Sequence, residues 1–133
     1  MESLRMSVGV QMSRWQEKRV LITGATGFIG SWLTEILLAK GAKITALIKK
    51  GDPLIASLRH ILNRIEPLYG DIRDQKVMDK AVENRDVIFH LAAITQVTYG
   101  IKNPVETFEV NVSGTLNLLE SIRKRSPSPF LIY

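Results

Sequence analysis

Three glycines at spacings of three, in TGATGFIG at residues 23–30, stand between an apolar run, RVLIT at 19–23, and a stretch with apolar residues at helical spacing. A short apolar run of this kind suits a strand buried on both faces. The helix after the glycines would present unpaired N–H groups and a partial positive charge at its start, and both favour a phosphate. Side chains would block that approach. Gly24 then serves the tight turn off the strand, Gly27 lets the backbone come close to a pyrophosphate, and Gly30 allows the helix to pack closely, while Phe28 and Ile29 offer their amides. Thr26, inside the loop, is counted with this set. Glycines alone also mark plain strand-to-helix turns; the coincidence of strand, glycines and helix favours a dinucleotide site.

The alternation continues along the chain. Ile29, Leu33, Ile36 and Leu37 predict a helix that Gly41 closes. KITALI (43–48) reads as a second buried strand, and 53–65 as helix-capable without clean boundaries. EPLYG (66–70) is a third strand, which Pro67 confines to a sheet edge unless the proline stands at its very start. A helix over 74–83 capped by Asp74 and a strand at 86–91 come next, then a loop over 92–102. Asn103 and Pro104 open a long helix, in which Val105, Phe108, Val112, Leu116, Leu119 and Ile122 hold one stripe for about five turns, with Gly114 opposite. Residues 127–133 turn into a fifth strand. Strands alternating with helices, and strands without in-out alternation, predict a doubly wound α/β fold of the Rossmann type with about five parallel strands. Residues 1–17 read as an irregular extension with internal methionines at Met6 and Met12, in which Trp15 alone is expected to pack; 18–133 form the domain.

Composition narrows the class of function. The chain has 133 residues, enough for one core, and no apolar run of about 18 residues that could span a bilayer. It lacks cysteine, which removes disulfides and thiolate chemistry and fits a reducing compartment, so the cytoplasm is expected. The net charge of +5 is spread along the chain without aromatic interleaving, which argues against a nucleic-acid platform. His60 and His90 have no carboxylate or second histidine at metal-ligand spacing and read as structural; no metal site is expected.

TGATGFIG, with GDI at 70–72, HLAA at 90–93 and NVSGTLNLLE at 111–120, closely resembles the extended short-chain dehydrogenase/reductase family, over essentially everything from Arg19 to Tyr133. WQEKRVLITGATGFIGSWL and GDIRD look like the CDP-glucose 4,6-dehydratases, and the end of the second strand like the GDP-mannose enzymes; sugar epimerases share most of these motifs. The resemblance implies that Asp71 bonds the adenine amino group with Ile72 beside it, and that Leu91, Ala92 and Ala93 line the passage from pyrophosphate to nicotinamide ribose. It also implies cofactor contacts for Thr95 and Asn111. Asn111 falls roughly 80° from the centre of the helix stripe at about 100° per residue, off the face that its neighbours turn to the core. The 104–125 helix resembles the one that pairs subunits in the family, which suggests a homodimer.

NAD enzymes of this architecture usually end the second strand on an acidic residue that holds the ribose 2′-hydroxyl. Here that position is Ile48, followed by Lys49 and Lys50, which are suited to a 2′-phosphate, so NADP is expected over NAD; Asp52 nearby counts against it. In the family a serine or threonine after the fifth strand and a YxxxK pair do the chemistry. Tyr69 and Tyr99 are followed four residues on by Arg73 and Asn103, and Tyr133 is last, so the pair is absent from this chain, as is the substrate-binding part. The expectation is therefore the NADP-binding portion of a nucleotide-sugar 4,6-dehydratase or epimerase, truncated and inactive by itself. The alternative is a non-enzymatic dinucleotide-binding sensor or interaction module.

Overall fold

The computed structural model describes residues 13–133; the irregular start, with Met6 and Met12, lies largely outside the described residues. Five strands form one sheet: β1 (Arg19–Thr23), β2 (Lys43–Ile48), β3 (Glu66–Tyr69), β4 (Val87–His90) and β5 (Phe130–Ile132). Their order is β3-β2-β1-β4-β5, and every pairing is parallel. β1 and β2 have the bounds expected from their apolar runs. Side chains alternate between two cores. Val20, Ile22, Ile44, Ala46, Ile48 and Phe89 face one; Leu21, Leu47 and Ile88 face the other. Pro67 sits inside β3, tolerated because β3 is an outer strand of the sheet.

Helix α1 (Phe28–Ala39) covers the first core, and α2 (Gln75–Ala81) with α5 (Gly114–Arg123) covers the second. Gly41 closes α1 with φ +87°, as its sequence position requires. The face of α1 that packs runs through Gly30, Thr34 and Leu37; Ile29 and Ile36 are exposed. Thr34 is fully buried because its hydroxyl donates back to the Gly30 carbonyl at 2.7 Å. Asp74 caps α2, accepting from the Lys76 and Val77 amides. Trp15 packs as expected, its ring 6.0 Å from that of Phe89.

Four expectations are corrected. Residues 53–65 are two short 3₁₀ segments, Pro53–Leu58 and Leu62–Arg64, with Leu58 and Ile61 buried in the first core. The loop before Asn103 holds a helix, α3 (Val97–Lys102), which leaves its apolar residues exposed. Asn103 does not cap with its side chain; its Nδ2 donates to the Tyr99 carbonyl at 3.2 Å, tying α3 to α4 (Pro104–Phe108). The long helix is not uniform: α4 runs into a π turn over Glu109–Ser113 before α5 begins. The extra residue of a π turn rotates the helix beyond it. Gly114, Leu118 and Ser121 face the core, while Val105, Phe108, Val112, Leu116 and Leu119 stand in solvent on both sides of the turn, at 71%, 60%, 48%, 64% and 45% exposure. Gly114 lies against Ile72, where an added methyl would come within 2.7 Å.

Candidate dinucleotide site

The sheet order reverses at β1, with β2 on one side and β4 on the other, and the crevice at the carboxyl ends of such strands is where α/β folds bind ligands. A cavity of about 290 Å³ opens there. The turn after β1 contributes Gly24, Thr26 and Gly27, β2 contributes Leu47, the residue after it Lys49, and the segment after β3 Gly70, Asp71 and Ile72. The loop after β4 supplies Leu91, Ala92, Ala93 and Ile94, and the helix beyond it Glu106 and Val110.

Each glycine of the turn has its own mechanical role. Gly24 has φ +71°, and a methyl on it would collide with the Leu91 carbonyl carbon at 2.6 Å. A methyl on Gly30 would lie 2.0 Å from the Gly24 oxygen, so this glycine seats the helix on its own turn. Gly27 differs. A methyl there would meet only the Gly24 oxygen, at 3.4 Å, and it would fill cavity space. Gly27 is also the residue before α1, and no side chain caps that helix, which leaves the first-turn amides, Phe28 and Ile29 among them, without intrahelical partners. The side chains of Phe28 and Ile29 are exposed and take no part in the lining.

The segment after β2 straps this turn. Thr26 Oγ1 donates to Asp52 Oδ2 at 2.6 Å, Asp52 Oδ1 accepts from the Leu54 amide at 2.9 Å, and Ser57 Oγ donates to the Thr26 carbonyl at 2.9 Å. Asp52 thus brings a carboxylate to the cavity wall beside Lys49, whereas Lys50 is exposed outside the lining. In the sequence Asp52 stood out only as a charge counting against NADP; its cap on the Leu54 amide and its reach to Thr26 need the tertiary fold.

Asp71 is held by Arg73. Its Oδ1 accepts from the Arg73 amide and Nε, at 2.9 and 3.0 Å, and its Oδ2 from a guanidinium nitrogen at 2.7 Å. The Arg73 side-chain bonds hold the Asp71 carboxyl below the usual carboxylate range, with a smaller contribution from the charge of Lys49. Arg73 also reaches Glu109 at 3.3 Å. Tyr99 donates its hydroxyl to Glu106 at 2.5 Å, which raises the phenol's pKa.

Asn111 spends both of its polar atoms on the loop after β4: Oδ1 accepts from the Ile94 amide at 2.7 Å and Nδ2 donates to the Ile94 carbonyl at 2.9 Å. It reaches the cavity through that loop. Thr95 is exposed and outside the lining. Leu47, Leu54, Ile94, Glu106 and Val110 line the cavity without having been singled out in the sequence, since only the packing of separate elements brings them there.

Residues 21–132 match the model of the GDP-mannose 4,6 dehydratase family. The chain belongs to that family. Within it, this dehydratase-family chain is 38% identical over 114 residues to the CDP-glucose 4,6-dehydratase of Salmonella typhimurium, covering 83% of the chain and 32% of that enzyme. It is 36% identical over 120 residues to the CDP-paratose 2-epimerase of Salmonella typhi, covering 86% of the chain and 36% of the epimerase. The structure of Thermus thermophilus UDP-glucose 4-epimerase in complex with NAD superposes with a TM-score of 0.71 at 34% identity, over 80% of this chain and 34% of the epimerase. The chain thus spans about a third of the length of these relatives. Among the described residues no helix is long and apolar enough to cross a membrane.

Proposed function

We propose that residues 18–133 are the NADP-holding part of a nucleotide-sugar 4,6-dehydratase or epimerase, and that the chain binds the cofactor without catalysing by itself. One observation carries the reading: a single cavity at the sheet's reversal point gathers the glycine turn, Asp71 with Ile72, and the loop from Leu91 to Ala93. Gly24, Gly27 and the amides of Phe28 and Ile29 suit a pyrophosphate, and Asp71 and Ile72 suit an adenine edge. Asn111 acts by shaping the loop, and Gly30 by seating the helix. A nicotinamide cofactor supplies hydride chemistry when bound; the chain's own residues bind and orient it. No YxxxK pair accompanies them in the sequence.

NADP is favoured by Lys49, whose position on the cavity wall suits a 2′-phosphate; Lys50 is a second donor from just outside. A charge-assisted bond contributes about 1.5–3 kcal/mol, roughly ten- to a hundredfold in affinity. Asp52 opposes the preference, and NAD is the alternative. Fluorescence titration with NADPH and with NADH tests both levels. Preference for NADPH, lost in Lys49→Ala, is the expected result; preference for NADH keeps the site and removes Lys49 as its reader. Failure of a folded chain to bind either would overturn the dinucleotide reading. The exposed apolar face from Val105 to Leu119 is consistent with the homodimer through this helix.

A further inference from the structure

Behind the loop after β4, three side chains form a hydrogen-bonded chain that ends on the main-chain carbonyl of Asn111, and its direction is fixed at every link. Thr23 Oγ1 lies 3.2 Å from the amide nitrogens of both Leu91 and Ala92, the former shared with the Thr23 carbonyl at 3.1 Å. Amides only donate, so the hydroxyl accepts twice and its one proton is left for His90 Nδ1, 2.7 Å away. His90 Nδ1 must therefore accept, and the neutral ring carries its proton on Nε2. Nε2 donates to Thr115 Oγ1 at 2.9 Å, and Thr115 in turn donates to the Asn111 carbonyl at 2.7 Å. Asn111 closes the circuit through its two bonds to the Ile94 backbone. The loop is thus held at 91–92 from β1 and at 94 from the π turn, and every residue between lines the cavity.

We propose that His90, as its neutral Nε2–H tautomer, is a positioning residue that latches the 91–94 loop between β1 and the helix, so that the loop keeps the shape of the dinucleotide cavity. The proposal rests on the dinucleotide-binding reading of that cavity. Protonation would add a donor on Nδ1 facing a hydroxyl whose lone pairs are already taken, and the amides of Leu91 and Ala92 would have to yield. Burial alone pushes the His90 pKa below its ordinary value. The groups facing the ring are the hydroxyls of Thr23 and Thr115. Lys49, Asp71 and Glu106 on the cavity wall contribute nothing to that shift, and β5 ends before Tyr133, which is exposed. The latch is therefore closed at neutral pH and opens as the pH falls below the histidine's ordinary value of about 6.5.

The test combines nitrogen-15 NMR of His90, amide exchange at Ala92 and Ile94, and NADPH titration at about pH 8 and about pH 5.5. The variants are Thr115→Val, Thr115→Ser and His90→Gln. Expected are an Nε2–H tautomer, faster exchange of both amides on acidification, and roughly fivefold weaker NADPH binding in folded Thr115→Val, restored in Thr115→Ser. Acid weakening of NADPH should be larger in the wild type than in His90→Gln, which shares any effect of the cofactor's own phosphate. An Nδ1–H tautomer, an unchanged Thr115→Val, or acid-strengthened binding confined to the wild type would overturn the latch. If NADPH binds at neither pH, the dinucleotide reading fails separately, and the tautomer with the exchange of Ala92 and Ile94 still decides whether the latch exists.

Discussion

Gly27 and Gly30 separate two demands that the sequence motif merges. At Gly30 a methyl has nowhere to go, 2.0 Å from a backbone oxygen of its own turn, so Gly30→Ala must shift the start of α1. Overpacking of this kind costs about 1–3 kcal/mol, which urea denaturation would read as a lower midpoint. At Gly27 the backbone is extended, with φ −69° and ψ 173°, and the methyl would touch only the Gly24 oxygen, at 3.4 Å, and otherwise enter the cavity. Gly27→Ala is therefore expected to keep its denaturation midpoint and lose NADPH binding. Equal losses of stability in the two variants would show that the cavity side of the turn has no separate role.

Among the helices, α2 starts where its sequence predicts and ends two residues sooner. Asp74 was legible as a cap, and its carboxylate accepts from the Lys76 and Val77 amides at 2.9 and 3.4 Å. The helix is only seven residues long, so its start is a large part of it. Asp74→Ala should cost about 1 kcal/mol by urea denaturation, and Asp74→Ser should recover most of it. The helix from Pro104 is the opposite case. The apolar stripe keeps one face on both sides of the π turn, yet that face is the outer one, and the small residues Gly114 and Ser121 take the buried side with Leu118. Ser121 can be buried because its hydroxyl donates to Asp79 and accepts from Gln75 on α2.

For the molecule as a whole, the consequence is a broad apolar surface. Val105, Phe108, Val112, Leu116 and Leu119 lie on the outside of the helix, and Phe130 is exposed on the strand at the edge of the sheet. Both invite association, by face packing in the first case and by strand pairing in the second. On the proposal that this face pairs two copies, the wild type is expected to sediment as a dimer and Phe108→Glu with Leu116→Glu as a monomer; a monomeric wild type would overturn that proposal. If the dimer persists in that variant, the helix face is not the interface and β5 becomes the surface to alter.

The doubly wound order of elements, the bounds of β1 and β2 and the glycine turn were determined by the sequence, which also narrowed Pro67 to a sheet edge or a strand start. Each depends on local rules: apolar continuity, left-handed backbone that only glycine adopts freely, and a missing N–H. The tertiary structure alone decided that Asp52 reaches Thr26, that Asn111 grips Ile94, and that Thr23, His90 and Thr115 form one chain. Those pairings join residues between 17 and 67 positions apart, and their partners are chosen by the parallel register and by the π turn. No local pattern of residues encodes either.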